Sequence, residues 1–424
     1  MKFFITLFKY LKDDFNNIKI LNFIMLLFLI STLTFFKLSS ILIYIILFLF
    51  LLNKNVKNYI QEILNNKVVR ATILYFLIYI LWMISSENLD VALYQVKGNL
   101  IMLYPILFVS IVRKEYIQKF IFAFFLVMFI SSIWSFLMYF DLLDSPFRVT
   151  PRPIPFLYKS DFGFFLLIGI SLAILNIKKY KGLYKFSLYI LVFLFSINIF
   201  IIGARIYMFD YFILIISLLI LSKNSLNKKY FFLLLTIFML ISTILYTYND
   251  NLKNNIDNVI VNINKGISNH EYNTSSGIRV ALIINSIPVL LDNFIFGVGT
   301  GDHIEAVKDY IYNKPDFNTG IYTDTINVLS IGKSSFLHNT YIQHIIEFGL
   351  IGLLVFLNIF YQMIRYKYIN EDYKKFIITL SIIYLFMSVS GAEFMYNQAG
   401  KIFIFFISIF LVQKELYKTK ENQK

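Results

Sequence analysis

Apolar runs of roughly 20 residues recur along almost the whole chain, separated by short connectors carrying Lys, Asn and Asp. A helix of that length crosses the hydrocarbon core of a bilayer, so the pattern predicts about twelve membrane spans. They fall at 18–36, 38–52, 70–85, 98–112, 117–140, 161–177, 186–202, 206–222, 230–248, 339–364, 374–391 and 399–413. The second and fourth are short, and Pro105 interrupts the fourth, which makes each a candidate for a tilted, broken or re-entrant segment.

One long polar stretch, residues 249–338, interrupts the pattern and divides the chain. Residues 1–248 carry nine predicted spans, and residues 339–424 carry the last three and a polar tail. The stretch opens with the Asn-rich NDNLKNNIDNVIVNINKGISN, read as a solvated amphipathic helix or loop. Its middle, SSGIRVALIINSIPVLLDNFIFGVGTGD, places apolar residues at helical spacing before a glycine cluster, as expected of a segment lying on or dipping into a membrane surface. The expected fold is an all-α, polytopic membrane protein with one large loop before its tenth span.

Composition agrees: 58% of the 424 residues are hydrophobic, 19% aromatic and 15% charged, and the mean hydropathy is +0.69. A net charge of +14 would raise nucleic-acid binding in a soluble protein, but here the cations are spread over seven connectors rather than one face. Alternate connectors hold Lys2 to Lys19, Lys54 to Arg70, Arg113 to Lys119, Lys178 to Lys185, Lys223 to Lys229, Arg365 to Lys375, and Lys414 to Lys424. By the positive-inside rule both termini are cytoplasmic and the 249–338 loop faces the other side. The first apolar run continues into a second without a small-residue cleavage site, so it is expected to remain as an anchor. The absence of Cys removes disulfides, thiolate catalysis and Cys-ligated metals. No internal repeat is evident, which disfavours transporters built from duplicated halves.

Candidate chemistry begins at HNTYIQHIIEFGLIG, residues 338–352, where the polar loop meets an apolar helix. A neutral imidazole at His338 can accept a proton near pH 7, and Gly349 and Gly352 would give that helix a smooth strip for close packing. Arginines on the loop side need a reason to be there. Arg205 lies in the short turn GARIYMFD, Arg279 in the amphipathic part of the loop, and Arg148 and Arg152 flank the Pro-rich FRVTPRPIP. One such arginine can snorkel to the headgroups, but two or more converging would suit a lipid-linked pyrophosphate.

Gly297, Gly299 and Gly301 read as a tight turn that lets backbone approach a ligand or a helix, not as a nucleotide loop, since no βα context surrounds them. His344 and Glu347 read as packing and hydrogen-bonding groups. A metal site from His303, His338 and His344 lacks supporting spacing, so neither metal nor cofactor is expected. Glu393, in SGAEFMYNQ, is an alternative base or an orienting group for His338. Most Tyr and Phe residues read as core or lipid-facing, with a few available to stack on sugars.

Together these residues resemble the O-antigen ligase and polymerase superfamily of bacterial envelope glycan assembly. His338, Asn339, Gly349 and Gly352 fill that family's pattern of His, a polar residue, nine variable positions, Gly, two variable positions and a small residue. GAR at 203–205 looks like the family's arginine at the start of a mid-chain span, and SGIR followed by FGVGTGD like its loop arginine and glycine turn; Arg148 and Arg152 match nothing in it. The resemblance implies a metal-independent glycosyltransferase of GT-C-like architecture in the bacterial inner membrane, with its active site facing the periplasm. Its donor would be a glycan on undecaprenyl diphosphate, and its acceptor either lipid A core, for a ligase, or a growing glycan, for a polymerase.

On that reading His338 is the general base, Arg205 and Arg279 hold the leaving diphosphate, and Arg152 and Asn339 are further glycan or phosphate contacts. The His pattern favours the ligase. A lipid-linked oligosaccharide flippase is the alternative from another class, but it should carry charges near the midplane of several spans, and these apolar runs are nearly free of them.

Overall fold

A computed structural model describes residues 11–146, 153–221, isolated positions between 236 and 276, then 277–315, 320–330, 337–389, 391 and 398–412. Every regular element among them is helical. In chain order they are α1 (Asp14–Thr34), α2 (Phe36–Leu52), α3 (Val56–Ile63), α4 (Lys67–Leu81), α5 (Leu89–Asn99), α6 (Tyr104–Ile111), α7 (Lys114–Tyr139) and α8 (Lys159–Asn176). They continue with α9 (Gly182–Ile201), α10 (Arg205–Leu221), α11 (Gly277–Asp292), α12 (His303–Tyr312), α13 (Gly320–Leu329), α14 (Thr340–Arg365), α15 (Glu371–Met387) and α16 (Gln398–Phe410).

Seven helical runs are long and apolar enough to cross a membrane, and an eighth joins them if the bent pair α2–α3 counts as one span. The protein is therefore a multi-pass membrane protein with fewer full-length spans among its described residues than the twelve apolar runs predict. The difference has local causes. The second run ends in a 110° bend into α3, held by the Asn53 amide donating to Asn17 Oδ1 (2.9 Å) and by Asn55 N donating to Asn53 Oδ1 (2.8 Å). The fourth begins earlier than its apolar core: α5, a 3₁₀ segment at Leu100–Leu103 and α6 form one run over Leu89–Ile111, with Pro105 in the first turn of α6, where its missing N–H costs nothing. Runs eight, eleven and twelve appear as helices of 17, 17 and 13 residues. The ninth run, 230–248, and the Asn-rich opening of the long loop lie outside the described residues except at isolated positions.

α8 is apolar on every side and is accordingly buried on every side from Asp161 to Asn176. In lipid, association of such helices relies on close packing and interhelical hydrogen bonds rather than on expelling water. Gly163 and Gly169 make room on α8 for the rings of Tyr207 and Phe195. The Asp161 carboxylate accepts from Ala399 N (2.8 Å) and so caps the short α16, which is buried along its length except at Lys401. Among the described residues, the Lys- and Arg-bearing connectors gather on one face of the bundle. Lys179 pairs with Asp372 (3.3 Å), Lys54 with Asp13 (3.3 Å), and Arg113 donates to the Tyr59 hydroxyl (3.1 Å).

A second core lies at the opposite face, where Leu282 and Val289 of α11 meet Ile304, Val307 and Ile311 of α12, Leu329, Leu337 and Ile346. It is joined to the membrane bundle by a break in α14. Gly349 has φ 66° and ψ −166°, so the carbonyls before it lose their helical partners. The glycine turn fills the gap: Val298 N donates to Ile346 O (2.8 Å), Gly299 N to Glu347 O (3.0 Å), and Leu350 N to Phe294 O (2.8 Å). Gly349 thus breaks the helix instead of smoothing its face. A Cβ there would run into the Ile295 carbonyl, and one at Gly297 into the Glu347 carbonyl.

Gly349→Ala should therefore unfold the junction, because the left-handed backbone alone costs about 1–3 kcal/mol for a side-chain-bearing residue and the clash adds to it. Gly182→Ala is the control, with φ 58° but nothing near its Cβ. In fluorescence-detected size exclusion after graded heating, Gly349→Ala should lose the monodisperse peak well below wild type and Gly182→Ala only slightly. Equal midpoints would contradict the role given to the break.

Candidate functional site

The geometry around His338 follows from how α14 starts. Asn339 is its N-cap, accepting from Ile342 N through Oδ1 (3.1 Å). Thr340 then locks the start to the end of α15: its N donates to Ser388 O (2.9 Å) and its hydroxyl to Gly391 O (2.7 Å), while the Tyr341 hydroxyl donates to Leu385 O (2.6 Å). His338 is left between buried Leu337 and this cap, half-buried, with φ 54°. A left-handed non-glycine residue is held there only by its surroundings, a strain common at functional positions.

Arg205 is the first residue of α10, after a turn in which Gly203 takes φ 60°. Its Nη1 is buried without a hydrogen-bond partner, an expense a ligand oxygen would relieve. Arg279 lies in the first turn of α11, whose start is tied down by Gly277 N donating to Thr274 Oγ1 (3.0 Å). Its side chain reaches solvent, yet the crowding protein removes enough water to lower its pKa, and the neighbouring Arg205 charge lowers it further. Burial likewise pushes His338 down to about 4, with the Arg279 charge as the second cause. The imidazole and two guanidinium groups thus occupy one electrostatic neighbourhood, each at the start of a helix. The partial positive charge of three helix N-termini adds to the two cations, a setting suited to a multiply charged anion.

The remaining candidates are placed differently. The Asn339 side-chain oxygen is engaged in capping, and Gly352 sits directly under the Phe348 side chain. Gly297, Gly299 and Gly301 form the turn in the α14 break, and Gly301 N donates to Glu347 Oε1 (3.1 Å). Glu393, Arg148 and Arg152 lie outside the described residues. Among the described residues, no group of three His, Asp or Glu side chains is arranged to hold a metal ion.

A buried polar network beneath the site was only partly legible in the sequence. Glu347 Oε1 also accepts from Gln95 Nε2 (2.8 Å) and lies 2.5 Å from His303 Nδ1. His344 Nδ1 donates to Thr340 O (2.8 Å), so its Nε2 accepts from the Tyr75 hydroxyl (2.6 Å), which in turn accepts from Tyr79 (3.0 Å). Asp302 holds the turn before α5 from across the fold, accepting from Glu87 N (2.8 Å), Asn88 N (3.2 Å) and the Ser86 hydroxyl (3.1 Å), while Asn88 caps the helix itself by accepting from Val91 N (3.2 Å). The available signal was the presence of His344 and Glu347 within an otherwise apolar run; their partners at Tyr75, Gln95 and His303 carried none.

A family model described as O-antigen ligase matches residues 190–357, an interval that contains Arg205, Arg279 and His338. No curated protein matches the chain.

Because the folded-state pKa of His338 lies below that of a free imidazole, the site holds it neutral across pH 5 to 8, and the associated stability fades as pH falls from about 6.5 toward 4. The pH dependence of His338 acylation by diethyl pyrocarbonate, followed by peptide mass spectrometry, should show an inflection well below 6.5. Arg279→Gln should move it partway back up, since burial remains. An inflection at or above 6.5 in wild type would refute this assignment.

Proposed function

We propose that the chain, whose residues 190–357 match a family model described as O-antigen ligase, is a member of the O-antigen ligase and polymerase superfamily and acts as the ligase. It would transfer a finished glycan from undecaprenyl diphosphate to a sugar hydroxyl of lipid A core at the outer side of the inner membrane. The observation that carries this reading is that Arg279 lies within electrostatic reach of both His338 and Arg205, with each of the three at or beside a helix start. Charge alternation along the sequence supports the orientation. The choice of ligase over polymerase rests on the resemblance of His338, Asn339, Gly349 and Gly352 to the ligase pattern.

The chemistry is a substitution at the anomeric carbon. The acceptor oxygen bonds to that carbon while the bond to the diphosphate oxygen breaks, the hydroxyl proton passes to the His338 imidazole, and the departing electron pair stays on the diphosphate. General-base assistance is worth about 10² to 10⁴ in rate. Arg205 and Arg279 meet the charge on the leaving group, where one preorganised donor is worth about 10² to 10³. The two guanidinium groups supply positive charge that metal-dependent transferases take from a divalent cation.

The donor must also enter sideways from the bilayer. Beyond Arg279, α11 exposes an apolar stripe of Ile284, Ile287 and Leu291, continued by Phe294, Ile295 and Phe296. Such a surface suits lipid contact, and it leads from the hydrocarbon to the arginine pair.

A deletion strain complemented with His338→Ala tests the assignment. A ligase should leave lipid A core without O-chain, a polymerase should leave core bearing one repeat unit, and a wild-type ladder would refute both. Arg205→Lys should lose about 10² in transfer rate despite keeping its charge, because one ammonium cannot reproduce a bidentate fork; full activity would reduce Arg205 to a headgroup contact. Transfer by purified protein should survive EDTA if no metal takes part.

A further inference from the structure

A recess of about 880 Å³ opens on the face opposite His338, where the Lys- and Arg-bearing connectors gather. α14 relates the two faces: His338 precedes its first residue, and Arg365, its last, lines the recess. The unbroken stretch of α14 from Leu350 to Arg365 alone spans on the order of 22 Å at 1.5 Å rise per residue, and His338 lies beyond the break at Gly349, too far for the recess to belong to the site above.

Three exposed cations, Lys67, Arg365 and Lys367, line the recess against a single carboxylate, Glu62. Its walls are fixed by contacts that cross it. Asn66 caps α4 by accepting from Val68 N (2.9 Å) and donates through Nδ2 to the Tyr366 hydroxyl (3.2 Å), which donates to Leu411 O (2.8 Å). The Arg365 guanidinium sits 5.8 Å from the Tyr361 ring centroid. Stacking by its face leaves a guanidinium's N–H donors at the edge, the geometry that meets phosphate oxygens. Deeper in, Ile63, Val109 and Val412 give an apolar lining.

α3, bent 110° from α2, bounds the recess on one side. Its outward side is polar, and Tyr59 and Ile63 are buried. A helix turned across a membrane bundle in this way lies at the interfacial level, where lipid phosphates reside.

We propose that this recess binds a phosphate group, carried by an anionic phospholipid of the adjacent leaflet. A bare phosphate would leave most of such a volume and all of its apolar lining unused, whereas a phospholipid places a phosphodiester against the cations and its chains along the apolar wall. The site is independent of the glycan-transfer reading, and neither depends on the other being right.

Native mass spectrometry of the full-length protein, released from nanodiscs of phosphatidylcholine doped with phosphatidylglycerol or cardiolipin, tests it. Wild type should retain anionic lipid in preference to phosphatidylcholine, and Lys67→Gln/Arg365→Gln/Lys367→Gln should lower that retention about tenfold or more. Glu62→Gln, which removes the opposing charge, should raise retention and guards against a triple variant that merely folds poorly. A parallel arm compares thermal midpoints in sodium phosphate and in sodium chloride of equal ionic strength. Phosphate stabilisation lost in the triple variant, with lipid retention unchanged, would assign the recess to a soluble phosphate and overturn the lipid. Identical behaviour of all variants in both arms would overturn the site.

Discussion

The break in α14 at Gly349 is the constraint on which the rest of the site depends. A continuous helix would satisfy its own carbonyls and present only side chains to the segment that precedes it. Broken, it offers the Ile346 and Glu347 carbonyls to Val298 and Gly299, and takes the Phe294 carbonyl in return. These are backbone bonds, so they fix the position of α11 and α12 against α14 with the rigidity of secondary structure. Glu347 strengthens the joint by holding Gln95 and Gly301 through one carboxylate oxygen, with His303 beside it. Arg279 rides on α11 and His338 stands at the head of α14. Their separation is set by this junction rather than by a flexible loop, and preorganised charge of that kind requires no rearrangement when a reaction creates its counterpart.

Packing and polarity divide the labour between the two cores. In the bundle, α8 is enclosed on all sides and α16 nearly so, and the two are joined by the Asp161 carboxylate accepting from Ala399 N. The second core has a more ordinary amphipathic construction, with α11 burying Leu282 and Val289 and exposing Ile284, Ile287 and Leu291. Its outer face is apolar where a soluble domain's would be polar, which fits a helix that remains in contact with lipid.

Much of this was legible from residue types and periodicity. Apolar runs located α1, α4, α7, α8, α9 and α14 to within a few residues, because a membrane span is a local property of composition. The bend after α2 was not legible, since it depends on Asn17 meeting Asn53 across 36 positions. The early start of α5 has a local cap, Asn88 accepting from Val91 N, but the turn that leads into it is held by Asp302, more than 200 residues away. At the site, the histidine and arginines stood out because they occupy polar breaks beside apolar helices. Their convergence, and the network of Tyr75, His344, Gln95, Glu347 and His303, are products of tertiary contact that one-dimensional spacing cannot encode. Glycines were legible as turns but not in their partners, and Gly349 in particular reads as a packing residue until the chain segment that fills its break is known.

The charge arrangement also orders the proposed reaction in time. Alone, His338 is held neutral by burial and by the Arg279 charge, and its low pKa makes it a weak base. A diphosphate bound between Arg205 and Arg279 offsets that positive field, so the proton affinity of the imidazole rises when the donor is in place. Base strength is then greatest in the complex that contains the anomeric carbon to be attacked. On the proposed reading, departure of the lipid diphosphate would uncover the guanidinium charges again and lower the proton affinity of His338, favouring release of the proton it has taken. The two arginines therefore act twice on the proposed reading, by stabilising the leaving group and by resetting the base, and a guanidinium suits both tasks because its charge does not titrate.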